Sequence, residues 1–165
     1  MKKIILVLVI LSSVFASGSM AGAKFGIGAI AVGNGTVLPS VRMDFDRQFG
    51  VELTAGFTSI SQANASRSIF NIGSRFLYNF MPSSQFTPCA GGDFLFQSDS
   101  NLDGAGHSGS TLTFALEAGG MAYLGKNFSI YALVSPISFS STSVNNASIT
   151  TLAVAGGSIG VHYYF

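Results

Sequence analysis

Apolar and polar residues alternate along most of the chain after residue 23. In the last eight residues, SIGVHYYF, every second residue from Ile159 to Phe165 is apolar or aromatic. A period of two is typical of a β-strand with one apolar face, because successive side chains of a strand point to opposite sides. The pattern recurs in eight segments of about ten residues, separated alternately by tight turns and polar loops.

The first four predicted strands differ mainly in how they end. Strand one runs from about Lys24 to Gly33 and strand two from about Leu38 to Arg47, with a hairpin turn at Asn34-Gly35 between them. Strand three begins at Phe49 and runs into the polar loop SQANAS, and strand four spans about Arg67 to Phe80. The residues predicted to face outward are Phe25, Ile27, Ala29, Ala31, Pro39, Val41, Met43, Phe45, Phe49, Val51, Leu53, Ala55, Phe57, Phe70, Ile72, Phe76, Tyr78 and Phe80.

The last four strands include one irregular member. Strand five follows the turn MPSSQ and leads to the longest loop, SDSNLDGAGHSG, and strand six turns at Gly125-Lys126. Strand seven begins at Phe128, but Pro136 disturbs its ladder and Phe139 falls out of phase, which predicts a bulge or an early end. After the loop SSTSVNNAS, strand eight completes the set. The residues predicted to face outward are Phe86, Ala90, Phe94, Phe96, Leu112, Phe114, Leu116, Ala118, Ala122, Leu124, Phe128, Ile130, Ala132, Val134, Ile159, Val161, Tyr163 and Phe165.

Residues 1–23 have the layout of a secretory signal peptide. Two lysines precede an apolar run from Ile4 to Ile10, and small residues follow. The run is too short to cross a bilayer as a helix. An N-terminal anchor is the alternative, and Ala16 or Ala21 could also be the cleavage position. We therefore expect an exported protein whose residues 24–165 form one domain.

Composition narrows the class of fold. Charged residues make up 9% of the chain, against roughly 25% in soluble domains, and the mean hydropathy is +0.49. No stretch after residue 23 has the about 18 apolar residues that a membrane helix needs. These features predict an eight-stranded antiparallel up-and-down transmembrane β-barrel. The mature charge is near zero, so no nucleic acid is expected as a partner. A soluble exported barrel of lipocalin or avidin type is an alternative, but it would need the opposite polarity of its two faces.

Seven phenylalanines lie close to a short turn or a chain terminus and share the outward phase. Membrane barrels carry rings of aromatic residues at their interfaces, and this chain lacks tryptophan. We expect an aromatic girdle on the periplasmic rim. Its members are Phe25, Phe45, Phe49, Phe80, Phe86, Phe128 and Phe165.

Charged residues fall on the inward phase of strands two to six. An approximate register places Asp44 beside Glu52 with Arg42 diagonal to it, and Glu52 opposite Arg75. Because side chains fill the interior of an eight-stranded barrel, we expect a salt-bridged core without a continuous water path. Paired carboxylates performing acid–base chemistry are the alternative. The network residues are Arg42, Asp44, Glu52, Arg75, Asp93 and Glu117.

No catalytic, metal-binding or cofactor-binding residue is predicted. His107 and Ser108 are adjacent in the longest loop, but the G-x-S-x-G pattern fails because Ser110 occupies its last position. His162 has the inward phase near the periplasmic end, too far from His107 for a shared metal. Cys89 is the single cysteine, so it forms no intramolecular disulfide.

Several stretches resemble the small outer-membrane β-barrels of OmpA and OmpX type. DRQFGVELTAGF and GKNFSIYALVSP are similar to short-turn hairpins of that family, FTPCAGGDF to its fifth strand, and HYYF to its closing strand. The short first loop and Pro136 depart from the family pattern. The family has no shared catalytic residues.

The resemblance implies an integral protein of a Gram-negative outer membrane with a structural or surface-interaction role and no enzymatic activity. Its implied partners are the outer-membrane lipids and the assembly machinery, which in this family recognises a final aromatic residue such as Phe165. A monomer is expected. A barrel enzyme that modifies membrane lipid, like the lipid A acyltransferase and deacylase barrels, is the alternative.

Overall fold

The computed structural model describes residues 23–33, 35–45, 48–62, 65–82, 84–101, 107–145, 147–154 and 156–165. Most of these residues belong to antiparallel strands. Within these ranges no helix is long and apolar enough to cross a membrane. The strands are β1 Ala23–Val32, β2 Val37–Phe45, β3 Phe49–Gln62, β4 Ala65–Asn79, β5 Phe86–Asp99, β6 Gly109–Tyr123, β7 Phe128–Val144, β8 Ala147–Ala153 and β9 Gly156–Tyr164.

The sheet closes on itself. Its order is β6-β5-β4-β3-β2-β1-β9-β7-β8, and the additional β6–β7 pairing completes the ring. β8 and β9 pair with successive parts of β7 in the same register, from Val144↔Ala147 to Phe128↔Tyr163. Together they make the eighth strand of the barrel. The predicted eight-stranded antiparallel up-and-down barrel is confirmed.

Alternation decides which side chains lie inside. On β9, His162 and Tyr164 are buried, whereas Ile159, Val161 and Tyr163 between and before them are exposed. Met43 departs from its predicted exposure. It has the outward phase but is buried, because it lies between Phe25 on β1 and Val51 on β3 in the strand register.

Two predicted loops are wrong. The segments SQANAS and SSTSVNNAS belong mostly to strands, because β3 continues to Gln62, β4 starts at Ala65, and β7 continues to Val144 before β8 starts at Ala147. Asn145 adopts φ +48° in the second connection, a left-handed conformation that asparagine tolerates. These strand ends are exposed on both faces in much of their length, so their sequence shows no alternation.

Pro136 marks a bulge, and the predicted early end of strand seven is wrong. The register with β6 shifts between Leu116↔Ile137 and Ala118↔Val134, so Ser135 and Pro136 both face one residue of β6. The bulge places proline where its missing N–H breaks no ladder bond. It also reverses the phase, and Phe139 therefore faces outward and is exposed.

β1 and β2 are shorter than β3, β4, β5, β6 and β7. The Val32 N–H donates to the Thr36 carbonyl over 2.9 Å, and Gly35 adopts φ +81°, which a tight hairpin turn requires. Its predicted partner in that turn, Asn34, lies outside the described residues. The described part of β2 runs to Phe45. The last residues of predicted strand two, 46–47, lie outside the described ranges, as do residues 1–22 of the predicted signal peptide.

Candidate functional site

A band of apolar side chains surrounds the outside of the barrel. Outward-facing residues are mostly apolar from Phe86 to Phe96 on β5 and from Phe128 to Phe139 on β7. A membrane-spanning β-strand needs about 9–11 tilted residues, and these segments have that length. We call this surface the apolar band. On the remaining strands it comprises the outward residues of Phe25–Ala31, Val37–Phe45, Phe49–Phe57, Phe70–Phe80, Leu112–Leu124 and Ile159–Phe165.

Serine replaces the apolar residues at one end of the band. Beyond Phe57 the outward positions of β3 are Ser59 and Ser61, and beyond Leu112 the outward position of β6 is Ser110. We call this end of the barrel the loop end, because the β5–β6 connection lies there, and the opposite end the turn end. The change from phenylalanine and leucine to serine limits the apolar band on the loop side. The other outward serines beyond the band are Ser66, Ser68, Ser98, Ser141, Ser143 and Ser148.

The seven phenylalanines of the predicted girdle lie at the turn end. Phe45 and Phe49 are paired across the β2–β3 turn, and the Phe165 N–H donates to the Phe25 carbonyl over 2.9 Å. Phe45 is half-buried, and the other six are exposed. The exposed ones are Phe25, Phe49, Phe80, Phe86, Phe128 and Phe165.

Inside the barrel, Arg42 is fully buried on β2 with carboxylates on two sides. Its Nε donates to Asp44 Oδ1 over 2.7 Å, and its Nη1 lies 4.0 Å from Glu52 Oε2. The predicted register of this hairpin is wrong by one pair: Arg42 is opposite Glu52, and Asp44 is opposite Gly50. The absence of a side chain on Gly50 leaves room for the guanidinium, since a Cβ there would collide with it.

Arg75 on β4 joins the remaining carboxylates. It is opposite Glu52 on β3 and opposite Asp93 on β5. Its Nε lies 2.6 Å from Glu117 Oε2 and 3.8 Å from Asp93 Oδ1, and its Nη1 lies 3.8 Å from Glu52 Oε2. Ion pairs therefore connect all six residues of the predicted network: Arg42, Asp44, Glu52, Arg75, Asp93 and Glu117.

Sequence reasoning missed Tyr131 and His162 as members of this cluster. The Tyr131 hydroxyl donates to Glu52 Oε2 over 2.8 Å and accepts from Arg75 Nη1 over 2.6 Å. His162 Nε2 lies 2.7 Å from Glu52 Oε1, and the His162 ring stacks on the Tyr131 ring with centroids 5.8 Å apart. The available signal was phase, because both residues alternate with outward apolar residues on their strands.

Tyr131 also fills the lumen. The guanidinium carbons of Arg42 and Arg75 lie 5.7 and 5.5 Å from its ring centroid, within the range of a cation–π interaction. Its ring covers Gly160 on β9, where a Cβ would overlap the ring. Apolar side chains that adjoin this polar core are Ile30, Leu77, Cys89, Met121, Tyr123 and Leu133.

A catalytic serine–histidine–acid arrangement is not formed in this core. Ser40 Oγ lies 2.9 Å from His162 Nε2, which is also the atom next to Glu52. In a catalytic triad the serine and the acid contact different ring nitrogens of the histidine. The acid orients the ring through one nitrogen, and the other nitrogen accepts the proton of the serine. Near the loop end, Ser108 Oγ donates to the Ser100 carbonyl over 3.4 Å and His107 is exposed. Among the described residues no three His, Cys, Asp or Glu side chains are grouped to hold a metal.

An ion pair that is separate from this network lies beyond the apolar band at the loop end. Arg67 Nε donates to Asp99 Oδ2 over 2.9 Å and to Asp99 Oδ1 over 3.1 Å. The Asp99 carboxylate also accepts from the Asn101 N–H over 3.1 Å. The hydrogen bond from Arg67 holds the pKa of Asp99 below its ordinary value. The sequence analysis did not predict this pair, although Arg67 and Asp99 both have the inward phase of their strands.

The closed sheet, the apolar outer band and the charged interior define an eight-stranded transmembrane β-barrel. No protein-family model matches the chain, and no curated protein matches it significantly. The assignment to this class of protein therefore rests on the strand pairing and the outer surface of this chain.

Several solved structures are similar to it. The N-terminal β-barrel domain of Pseudomonas aeruginosa OprF has 13% identity and a TM-score of 0.48, covering 87% of this chain and 96% of that one. A major outer membrane protein from Thermus thermophilus has 15% identity and a TM-score of 0.47, covering 87% and 99%. Ail, the attachment invasion locus protein of Yersinia pestis, has 15% identity and a TM-score of 0.41, covering 87% and 97%.

Proposed function

We propose that this protein is an integral barrel of a Gram-negative outer membrane, exported by a signal peptide at residues 1–23. The observation that carries the proposal is the inverted polarity of the fold. Phenylalanine, leucine, isoleucine and valine dominate the apolar band, while Arg42, Glu52 and Arg75 are buried. Water would not favour this arrangement, whereas acyl chains solvate an apolar exterior.

The orientation follows from the ends of the barrel. In bacterial outer-membrane barrels the short turns are periplasmic and the longer loops extracellular. The turn end would therefore face the periplasm, and its ring of seven phenylalanines would lie at the lipid headgroup level. Outer-membrane lipids are the partners of the band. The strand that ends at Phe165 would be the segment that the outer-membrane assembly machinery recognises, and the protein would act as a monomer.

The role we propose is envelope structure or surface interaction without catalysis. The interior supports this role, because ion pairs, Tyr131 and His162 occupy the lumen at the level of Glu52. The two contacts on His162 Nε2 disfavour the serine chemistry that a lipid-modifying barrel would use. A lipocalin-like barrel is disfavoured by its need for an apolar interior.

Gel mobility tests membrane insertion. The mature chain, residues 24–165, is refolded in detergent and run on a gel with and without boiling. A membrane barrel runs as two forms that interconvert on heating, because the closed sheet resists the gel detergent until heated. A chain that folds and stays monodisperse in buffer without any amphiphile would contradict the proposal.

Planar-bilayer recording tests the filled interior separately. The refolded barrel should insert without a steady large conductance, since paired side chains occupy the lumen. Insertion is checked by protease protection of the same sample. A stable large conductance from the inserted protein would contradict the filled interior and leave the membrane location intact.

A further inference from the structure

In the part of the chain that the structure describes, the barrel wall has a gap at the loop end. Pairing of β2 with β3 reaches only Ser40↔Thr54, yet β3 continues to Gln62 in its pairing with β4. On the other side, β1 pairs with β9 up to Val32↔Ser158, while β8 pairs with β7 and with no other described strand. β3 and β8 therefore extend further towards the loop end than the β1–β2 hairpin that lies between them.

The bulge on β7 determines which backbone groups of β8 face the gap. The Leu124 N–H donates to the Phe128 carbonyl, so even-numbered residues before the bulge bond β6. β6 pairs with β5 without interruption, so its even-numbered residues bond β7 on both sides of the bulge. Beyond the bulge these residues lie opposite odd-numbered residues of β7, as in Phe114↔Phe139. Even-numbered residues of β7 therefore bond β8, where their partners are odd-numbered, as in Ser140↔Thr151. The β8 residues left with N–H and C=O groups towards the gap are Ser148, Thr150 and Leu152.

The same reasoning applies to β3. The Asn79 N–H donates to the Gln48 carbonyl, so even-numbered residues of β3 bond β4 in this register. Phe57, Ser59 and Ser61 consequently present their backbone groups away from β4. Ser59 and Ser61 lie beyond the apolar band, where water and soluble proteins have access.

Pro39 accounts for the end of the pairing between β2 and β3. Odd-numbered residues of β2 lie opposite odd-numbered residues of β3, which are the residues whose backbone groups face β2. Proline has no N–H to donate, so the first such position beyond Ser40↔Thr54 cannot complete a hydrogen-bonded pair. β2 itself starts at Val37, which is level with Phe57 in this register, so the part of β3 beyond Phe57 is left as an edge.

Neither edge carries the usual protection of a free strand. Natural sheets block edge pairing with lysine or other charges, proline or a bulge. The segments FTSISQ, residues 57–62, and ASITTLA, residues 147–153, contain no charged residue and no proline. All residues of β8 are exposed, Ile149 and Leu152 among them. Both edges are therefore competent for pairing and electrostatically neutral.

We propose that this gap receives an uncharged β-hairpin from a partner protein outside the membrane. The sheet order places two strands, β1 and β2, between β3 and the eighth strand. The two edges are therefore three strand spacings apart, roughly 14 Å, which leaves room for two added strands. One strand of the hairpin pairs with β3 and the other with β8, so that main-chain hydrogen bonds supply the affinity. The inference rests on the proposed outward orientation of the loop end.

Amide hydrogen exchange tests the proposal on the mature barrel in lipid nanodiscs. The probe is a disulfide-closed peptide hairpin of about 14 residues, made of threonine, valine and serine around an Asn-Gly turn. Without peptide, the gap-facing amides of Ser61, Ser148 and Thr150 should exchange rapidly, whereas those of Ile149 and Thr151, bonded to β7, should be protected. With peptide, exchange at the gap-facing amides should slow by at least about tenfold, and the other two should not change.

Two variants and a control locate the effect. Thr150→Pro removes an N–H that β7 does not use, and it should abolish protection of Ser148 by the peptide. Ser148→Lys keeps the backbone and adds a charge to the edge beyond the apolar band, and it should weaken protection of Thr150 by the peptide. Thr151→Ala changes a side chain on the opposite face without altering the edge and should bind the peptide as the parent does.

Two results would overturn the inference. One is protection of the gap-facing amides in the free barrel, which would mean that the edges are already paired. The other is unchanged exchange at peptide concentrations up to about 1 mM. The gel shift of the same protein separates this inference from the proposed function. If the parent barrel and its variants keep the heat-dependent shift, only the hairpin inference fails; if none of them shows it, the proposal of a membrane barrel is contradicted.

Discussion

The Tyr131 hydroxyl on β7 donates a hydrogen bond of 2.8 Å to Glu52 on β3, a strand that is not its neighbour in the sheet. The same hydroxyl accepts from Arg75 on β4 over 2.6 Å. One phenol thus joins three strands across the lumen. Hydrogen bonds of this kind add to the ladder between adjacent strands, and they fix the polar side chains that fill the barrel.

Replacing Tyr131 by phenylalanine should lower stability. The ring remains, but Glu52 loses a donor and Arg75 loses an acceptor in a buried site, which costs about 1–3 kcal/mol. The measurement is the urea midpoint of unfolding from lipid vesicles, followed by far-ultraviolet circular dichroism. Tyr163→Phe is the matched control, because Tyr163 is outward and half exposed. Equal midpoints for the two variants would show that the hydroxyl contributes nothing.

Arg75→Leu should destabilise the barrel more strongly than the loss of one hydroxyl. The change leaves the carboxylates of Glu52, Asp93 and Glu117 without their shared cation, and breaking a buried ion pair costs about 3–5 kcal/mol. The urea midpoint again reports the effect. Lys126→Leu at an exposed turn removes the same charge and should change the midpoint little. An unchanged midpoint for the Arg75 variant would refute the assigned network.

Arginine substitutions on the outer face should distinguish the apolar band from the surface beyond it. Ala118→Arg lies near the middle of the band on β6 and should cost about 2–4 kcal/mol of stability in lipid. Ser110→Arg lies on the same strand beyond the band and should cost about 0–1 kcal/mol. The comparison uses unfolding from vesicles of one lipid composition. Equal costs at the two positions would contradict the placement of the band in the hydrocarbon.

The pair of Arg67 and Asp99 should respond to acid at the loop end. Because the folded pKa of Asp99 is lowered by its hydrogen bond from Arg67, the pair stabilises the folded state above the ordinary pKa of about 3.9. This contribution is lost as the pH falls through the lowered value. Carbon-13 NMR of the Asp99 carboxyl follows the titration directly.

Removal of the cation supplies the comparison for that titration. Arg67→Gln should move the Asp99 midpoint upward, while Lys126→Gln at the opposite end should leave it in place. A midpoint that does not move when Arg67 is replaced would assign the low pKa of Asp99 to another cause.

Alternation in the sequence determined the class of fold and the face of nearly every barrel residue. In a strand, parity alone assigns a side chain to a face, whatever the neighbouring strands are. The outward phase of Ile159, Val161 and Tyr163 and the inward phase of Arg42 and Arg75 therefore follow without knowledge of the register. The bulge at Pro136 was also readable, because it reverses the parity of the residues that follow.

Only the tertiary structure decided which inward residues meet. Arg42 rather than Asp44 is opposite Glu52, since the geometry of the hairpin sets the register. Tyr131 and His162 reach Glu52 across the lumen, and such contacts depend on how the closed sheet brings distant strands together. The strand ends within SQANAS and SSTSVNNAS could not be predicted for a different reason. Both faces of these strand ends are exposed to water, so apolar and polar residues do not alternate there.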